Sequence, residues 1–255
     1  MRKSSTNIGI IGFLEKIIRV HPLVYWVLRS LIRYTNIFEK DFDGLKKIYF
    51  KNSINIIDVG ASDGLAVKFF LNNLSVNKVI CFEPYKVYIK ILKKQKKVIV
   101  KPFAIGNSNI KTKIYFPRYK FFNKNLDLMT YAHYDHSLMQ HFIKDFKFRS
   151  NLSIGSGYLK IKKIKKLSHK IDLIKIDTNG YELTVIKGLY NIINKDRPAL
   201  IVEINKDREI IAKLLKNMGY VGYYYSVKLN KFTKKMDVNC TNKYFLQKKH
   251  LNYIK

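Results

Sequence analysis

The run Ile56-Ile57-Asp58-Val59-Gly60-Ala61-Ser62-Asp63-Gly64 decides the architecture. An apolar strand ends in an acid, turns through glycine and opens into a helix beginning near Leu65. In open α/β sheets, ligands bind at such carboxyl ends of strands. A dinucleotide fingerprint needs glycine where this chain has Ser62 and Leu65, because the second glycine lets a pyrophosphate approach the backbone. A triphosphate-cradling glycine loop ending in Lys-Ser or Lys-Thr is also absent. A second acid, Glu83, ends the next apolar run about 20 residues beyond the turn, where a carboxylate accepts from ribose hydroxyls. The pattern DxGxxxG followed by a strand-end Glu therefore suits S-adenosylmethionine, which has a ribose and an adenine but no phosphate.

Outward from this turn, short apolar runs alternate with helical stretches, the pattern of βαβ units around a mostly parallel sheet. Strands are predicted near Ile54–Asp58, Val79–Glu83, Val98–Val100, Asp172–Asp177 and Ala199–Ile204, with a closing pair in Tyr220–Val227 and Lys243–Gln247. Helices are predicted near Leu65–Asn72, Val87–Gln95, Glu182–Ile193 and Arg208–Asn217. A hairpin is expected near Thr112–Phe116. Beyond it lies an insertion over about 117–158, rich in Tyr, His and Phe and without a clear period. Long excursions of this kind inside α/β domains are usually functional. Two short amphipathic helices hinged at Pro22 precede the domain, so the organisation expected is a helical segment over 1–45 and one α/β domain over 46–255. Lys16, Arg19, Arg29 and Arg33 lie among their apolar positions, so peripheral membrane contact is one use of these helices and capping of the domain is the other.

The chain has 255 residues and a formal net charge of +31, with 47% hydrophobic and 14% aromatic residues. That apolar content excludes a disordered chain. Only eight of the 49 basic residues are arginine, whose planar fork is the usual phosphate grip. Lys, Asn and Ile are abundant together, as AT-rich codons would make them. The charge alone therefore does not assign a nucleic-acid partner. Cys81 and Cys240 stand far apart, with no zinc or disulfide spacing. No apolar run is long enough to span a bilayer, and the N-terminus lacks a signal-peptide pattern, so the cytoplasm is the expected compartment.

An ordered series of motifs resembles the FkbM-type S-adenosylmethionine-dependent methyltransferases. The series is DVGASDG at Asp58–Gly64, FEP at Phe82–Pro84, AIGNS at Ala104–Ser108, KIDTNGYE at Lys175–Glu182 and PALIVEIN at Pro198–Asn205. The resemblance implies a Rossmann-like class I methyltransferase, with a mostly parallel seven-stranded sheet and helices on both faces. It also implies O-methylation of sugar or natural-product hydroxyls. By position, Asp58, Gly60, Ser62 and Gly64 would shape the methionine-side loop, Glu83 would hold the ribose, and Ala104 and Ile105 would lie beside the adenine. Two positions depart from the family pattern: Ser62 replaces its usual Asn, and Asn179 replaces the Glu of its Asp-Val-Glu-Gly.

Methyl transfer to oxygen needs positioning and a proton acceptor. Asp177, at the end of a strand beside the crevice, is the leading candidate. Glu203, which ends the following strand, and His133, in the aromatic insertion beside His136 and His141, are further candidates. Asn179 with Glu182 reads as a capping box at a helix start. Asp177, Glu203 and Asn205 are oxygen donors suited to Mg²⁺, while no metal-ligand spacing is present for zinc. The expected acceptor is a small molecule or glycan. Neither an amino-methylating Pro-Pro-aromatic loop nor a Pro-Cys nucleophile is present, so base methylation is disfavoured. RNA 2′-O-methylation and a non-catalytic binding role stay open as alternatives.

Overall fold

A computed structural model describes residues 17, 22–32, 35, 38–146, 149–236 and 240–251. In chain order its elements are α1 (Pro22–Ile32), β1 (Ile54–Val59), α2 (Leu65–Asn73), β2 (Val76–Phe82), α3 (Lys86–Leu92), β3 (Val98–Lys101) and β4 (Ala104–Ile105). They continue with β5 (Ile110–Phe121), β6 (Lys124–Asp127), α4 (His136–Lys144), β7 (Leu152–Lys162), β8 (Leu173–Ile176), α5 (Glu182–Gly188) and α6 (Tyr190–Asp196). The last are β9 (Ala199–Glu203), α7 (Arg208–Asn217), β10 (Val221–Ser226), β11 (Lys231–Thr233) and β12 (Asn242–Leu246). The chain divides into two compact units: Phe38–Asn109 with Ile161–Lys255, and Lys3–Ile37 with Ile110–Lys160.

The larger unit is built on an eight-stranded sheet ordered β11-β10-β12-β9-β8-β1-β2-β3. β3, β2, β1, β8 and β9 run parallel, β12 is antiparallel to β9, and β10 is antiparallel to both of its neighbours. The sheet is therefore mixed and eight-stranded, where the resemblance implied a mostly parallel one of seven. The added strand, β11, has three residues and closes an edge with Lys231, a position where charge discourages further pairing. The central strands β1 and β8 are buried along nearly their whole length, which is why they read as unbroken apolar runs.

Each face of the sheet has its own core. One gathers Ile54, Ile56, Val67, Phe69 and Phe70 with Phe42 and Leu45 from a 3-10 turn at Lys40–Lys47. The other gathers Ile57, Ile174 and Ile176 with Val185, Ile186, Ile193, Ile211 and Leu215 of α5, α6 and α7. The predicted helix Glu182–Ile193 is two helices. A Cβ on Gly188 would lie 2.3 Å from the Gly106 carbonyl oxygen, so backbone meets backbone where the first helix ends.

In the smaller unit β7, β5 and β6 are neighbours in that order, and Tyr25 of α1 packs with Leu128 and Phe146. The hairpin expected near Thr112–Phe116 is not there. β5 runs straight through those residues and turns only after Phe121. Phe116 is buried on this strand, and a Cβ on Gly155 of β7 would come within 2.3 Å of its ring, so a glycine there makes room for it. The last two residues of β7, Ile161 and Lys162, belong to the larger unit and pair in parallel with Ala104 and Ile105. Of the two predicted N-terminal helices, the second is α1, and the first lies outside the described residues apart from Ile17.

Candidate functional site

The site assembles at the carboxyl ends of β1, β2 and β8. Strand order reverses direction between β1 and β8, which makes the crevice outside their ends the expected ligand site of an open α/β sheet. Gly60 turns the chain out of β1 at φ +77°, and a Cβ there would stand 1.9 Å from the carbonyl oxygen of Asp177. Only glycine permits the two strand-end loops to touch in this way. Ser62 sits in the left-handed region at φ +48°, and Gly64 at φ +82° caps α2.

Glu83 is buried and faces that loop. One carboxylate oxygen accepts from the Ser62 N–H at 2.8 Å and the other from the Tyr85 N–H at 2.9 Å. Burial pushes its pKa up to about 7, against the two backbone donors, which favour the charged form. Each oxygen retains a second lone-pair direction, so the group can accept further hydrogen bonds.

Asp58 is fully buried, and neither carboxylate oxygen has a hydrogen-bond partner. Its counter-charge is Lys175, its direct cross-strand neighbour on β8, with Nζ 3.5 Å from Oδ1. The same ammonium donates to Oδ2 of Asp177 at 3.3 Å. Burial works against the charge on Lys175, but Asp177 and Asp58 outweigh it and hold its pKa above the usual lysine range. Burial raises the pKa of Asp58, opposed by Lys175. One buried cation thus joins a sealed carboxylate to a half-exposed one, since the Asp177 side chain is 34% exposed. The sequence reading singled out both acids and missed the lysine. The available signal was a charge inside the apolar run Leu173-Ile174-Lys175-Ile176.

After β8 the chain makes a turn in which Asn179 and Gly180 both have positive φ, +55° and +101°. Glu182 holds this turn from inside. Its Oε1 accepts from the Thr178 N–H at 2.8 Å, the Thr178 hydroxyl at 3.1 Å and the Gly180 N–H at 3.1 Å, and its Oε2 accepts from the Asn205 side chain. This differs from the expected capping box. The residue at the helix start is Tyr181, not Asn179, and it makes no side-chain cap.

The oxygen set named for Mg²⁺ is not assembled as a metal site. The Asn205 side-chain NH₂ donates to Glu182 and its Oδ1 accepts from the Asp207 N–H, and Asp177 is paired with Lys175. Among the described residues no group of three His, Cys, Asp or Glu side chains can hold a metal ion. Glu203 is half-buried at the end of β9, opposite Asn242 of β12. Ala104 and Ile105 form β4, and Ile105 is buried in the core under α5.

His133 belongs to the smaller unit. It bridges to Tyr115 through paired backbone hydrogen bonds, and its Nδ1 accepts from the Asp135 N–H at 3.0 Å. With Nδ1 an acceptor, the proton of the neutral ring is on Nε2, which is then a donor.

A mixed sheet whose five parallel strands carry a glycine turn after β1 and an acid after β2, extended by antiparallel strands beyond β9, is the architecture of a methyltransferase of class I. The methyltransferase FkbM domain matches residues 58–223, more than half of the chain, and the protein belongs to that family. Among solved structures the chain is similar to a methyltransferase FkbM from Methylobacillus flagellatus KT, at 16% identity and a TM-score of 0.47, over 77% of this chain and 44% of that one. This chain thus spans under half the length of that relative. It is also similar to a precorrin-6y C5,15-methyltransferase from Geobacter metallireducens GS-15, at 10% identity and a TM-score of 0.37, over 83% of this chain and 88% of that one. No curated protein matches. No helix among the described residues is long and apolar enough to cross a membrane.

Proposed function

We propose that this methyltransferase uses S-adenosylmethionine and acts in the cytoplasm on a hydroxyl of a sugar, glycan or related small acceptor. The observation that carries the reading is the pairing of Glu83 with the Gly60–Gly64 loop, beside the Asp58–Lys175–Asp177 chain of charges. The fit to the cofactor rests on two features: spare acceptor capacity on a buried carboxylate, and a second buried carboxylate, Asp58, with no hydrogen-bond partner. When bound, the cofactor supplies a sulfonium-borne methyl group. Glu83, held in place by the Ser62 and Tyr85 N–H groups, would accept from the ribose hydroxyls, the Gly60–Gly64 loop would hold the methionine end, and Ala104 and Ile105 would lie beside the adenine.

Asp177 orients the acceptor hydroxyl and takes its proton, and Lys175 holds the Asp177 carboxylate in place. In-line displacement gains most from such positioning. Glu203 lines the acceptor side at the next strand end. His133 is not assigned the base, because a ring with its proton on Nε2 presents no lone pair there.

Calorimetric titration of S-adenosylmethionine and S-adenosylhomocysteine tests the cofactor reading. Micromolar binding to the wild type, weakened about tenfold or more in Glu83→Ala by loss of charged hydrogen bonds, supports it. A folded wild type that binds neither compound would point instead to a non-catalytic role for the fold.

A further inference from the structure

The hairpin between β5 and β6 ends in an unusual tip. Phe121 pairs with Lys124, so the loop is only Phe122 and Asn123. Phe122 has φ +51°. Two-residue hairpin loops need positive φ and draw Asn, Asp or Gly for it, whereas a bulky aromatic in that region is a steric outlier. Burial does not compensate: Phe122 is 82% exposed and Phe121 39%. Their rings meet edge to face at 4.7 Å, forming one apolar point. Lys120 and Lys124 stand exposed directly behind it.

We propose that this tip docks on an anionic lipid surface, with Phe121 and Phe122 entering the headgroup–acyl boundary and Lys120 and Lys124 resting on the headgroups. Three observations favour a bilayer over a nucleic acid. The tip is convex, whereas single strands are held along grooves with stacking platforms. Its flanking charges are lysines, point charges suited to diffuse headgroup attraction, in a chain with few arginines. The same unit exposes further apolar side chains, Val24, Val27 and Leu31 on α1, which a bilayer can take up and a phosphate backbone cannot. The chain's net charge of +31 draws it to anionic membranes from a distance. The proposal is independent of the methyl acceptor.

Vesicle flotation of the full chain tests it, using phosphatidylcholine with and without phosphatidylglycerol. The wild type should float with the anionic vesicles. Phe122→Asn suits the turn, so its melting temperature should hold or rise, while its vesicle affinity should fall about tenfold through loss of a buried phenyl. Lys120→Gln with Lys124→Gln should weaken binding by at least about tenfold and flatten its salt dependence. In Phe122→Trp, emission beyond that of Trp26 should shift to the blue on anionic vesicles only. Wild-type affinity in Phe122→Asn would overturn the proposal. So would loss of polyuridylate binding in that variant with vesicle binding unchanged, which would mark the tip as an RNA contact.

Discussion

Lys175 occupies a strand whose other residues are Leu173, Ile174 and Ile176, and its charge survives there because it answers two carboxylates at once. Removing it strands Asp58, which is fully buried and has no other partner for its oxygens. Lys175→Met should therefore cost about 3–5 kcal/mol, the usual penalty for breaking a buried pair from one side, measured by urea unfolding. The double variant Lys175→Met with Asp58→Leu should recover most of that stability while abolishing cofactor binding, because an apolar pair of similar volume satisfies the core but not the ligand. Ser62 makes a second residue-scale test. At φ +48° it holds a conformation that Asn adopts more easily, which gives a physical reason for the family's preference at that position. Ser62→Asn should raise stability by about 0.5–1 kcal/mol in the same assay. Its backbone N–H donates to Glu83 regardless of side chain, so cofactor affinity should be unchanged.

At the scale of elements, Glu182 holds the turn from β8 into α5 from inside. Glu182 accepts from two backbone N–H groups and a hydroxyl of the turn and ties it to Asn205 beyond β9. Glu182→Ala leaves those donors unanswered in a buried place and should cost about 3 kcal/mol by thermal unfolding, with a larger loss of turnover than of cofactor affinity, because Asp177 precedes the turn. The sequence made β1, β8 and β9 legible because strands buried on both faces leave unbroken apolar runs, and α7 matched its predicted bounds, Arg208–Asn217, through helical spacing of its apolar residues. β11 was not legible. Three residues, Lys231-Phe232-Thr233, carry no period, and the strand exists because β10 offers an edge. The long β5 was hidden because Pro117 and the alternation of lysine with aromatics mimic a break. The turn after β1 and the acid after β2 could be read because a turn at φ +77° that lets two strand-end loops touch constrains residue type at fixed spacing. Lys175 and the inward role of Glu182 could not, since both follow from cross-strand and turn contacts that a linear pattern does not contain.

For the whole molecule, buried titratable groups set how stability varies with pH. Asp41, buried beneath the backbone N–H groups of Thr241 and Asn242 and beside Glu39, has its pKa raised to about 7, chiefly by burial. Glu83 is also raised to about 7 by burial. In both cases the folded state holds a proton that the unfolded state has already released, so each contribution is full at low pH and is lost as pH rises toward and through 7. His250 acts oppositely: burial and the neighbouring Lys249 and Lys170 lower its pKa to about 4, so the unfolded state binds the proton first and stability falls as pH drops below about 6.5. Above about pH 6.5 the His250 contribution is complete, and Asp41 and Glu83 are the raised carboxylates among the described residues that still change charge up to pH 8. The melting temperature should decline across that window and level off above it. In Asp41→Asn the decline should be roughly halved, because one of the two raised carboxylates is gone. Cofactor binding should run the other way, strengthening from pH 6 to 8 as Glu83 ionises and becomes a better acceptor for ribose hydroxyls. A binding profile that weakens with pH alongside the melting temperature would mean that Glu83 meets its ligand protonated, and the ribose contact would then have to be assigned elsewhere.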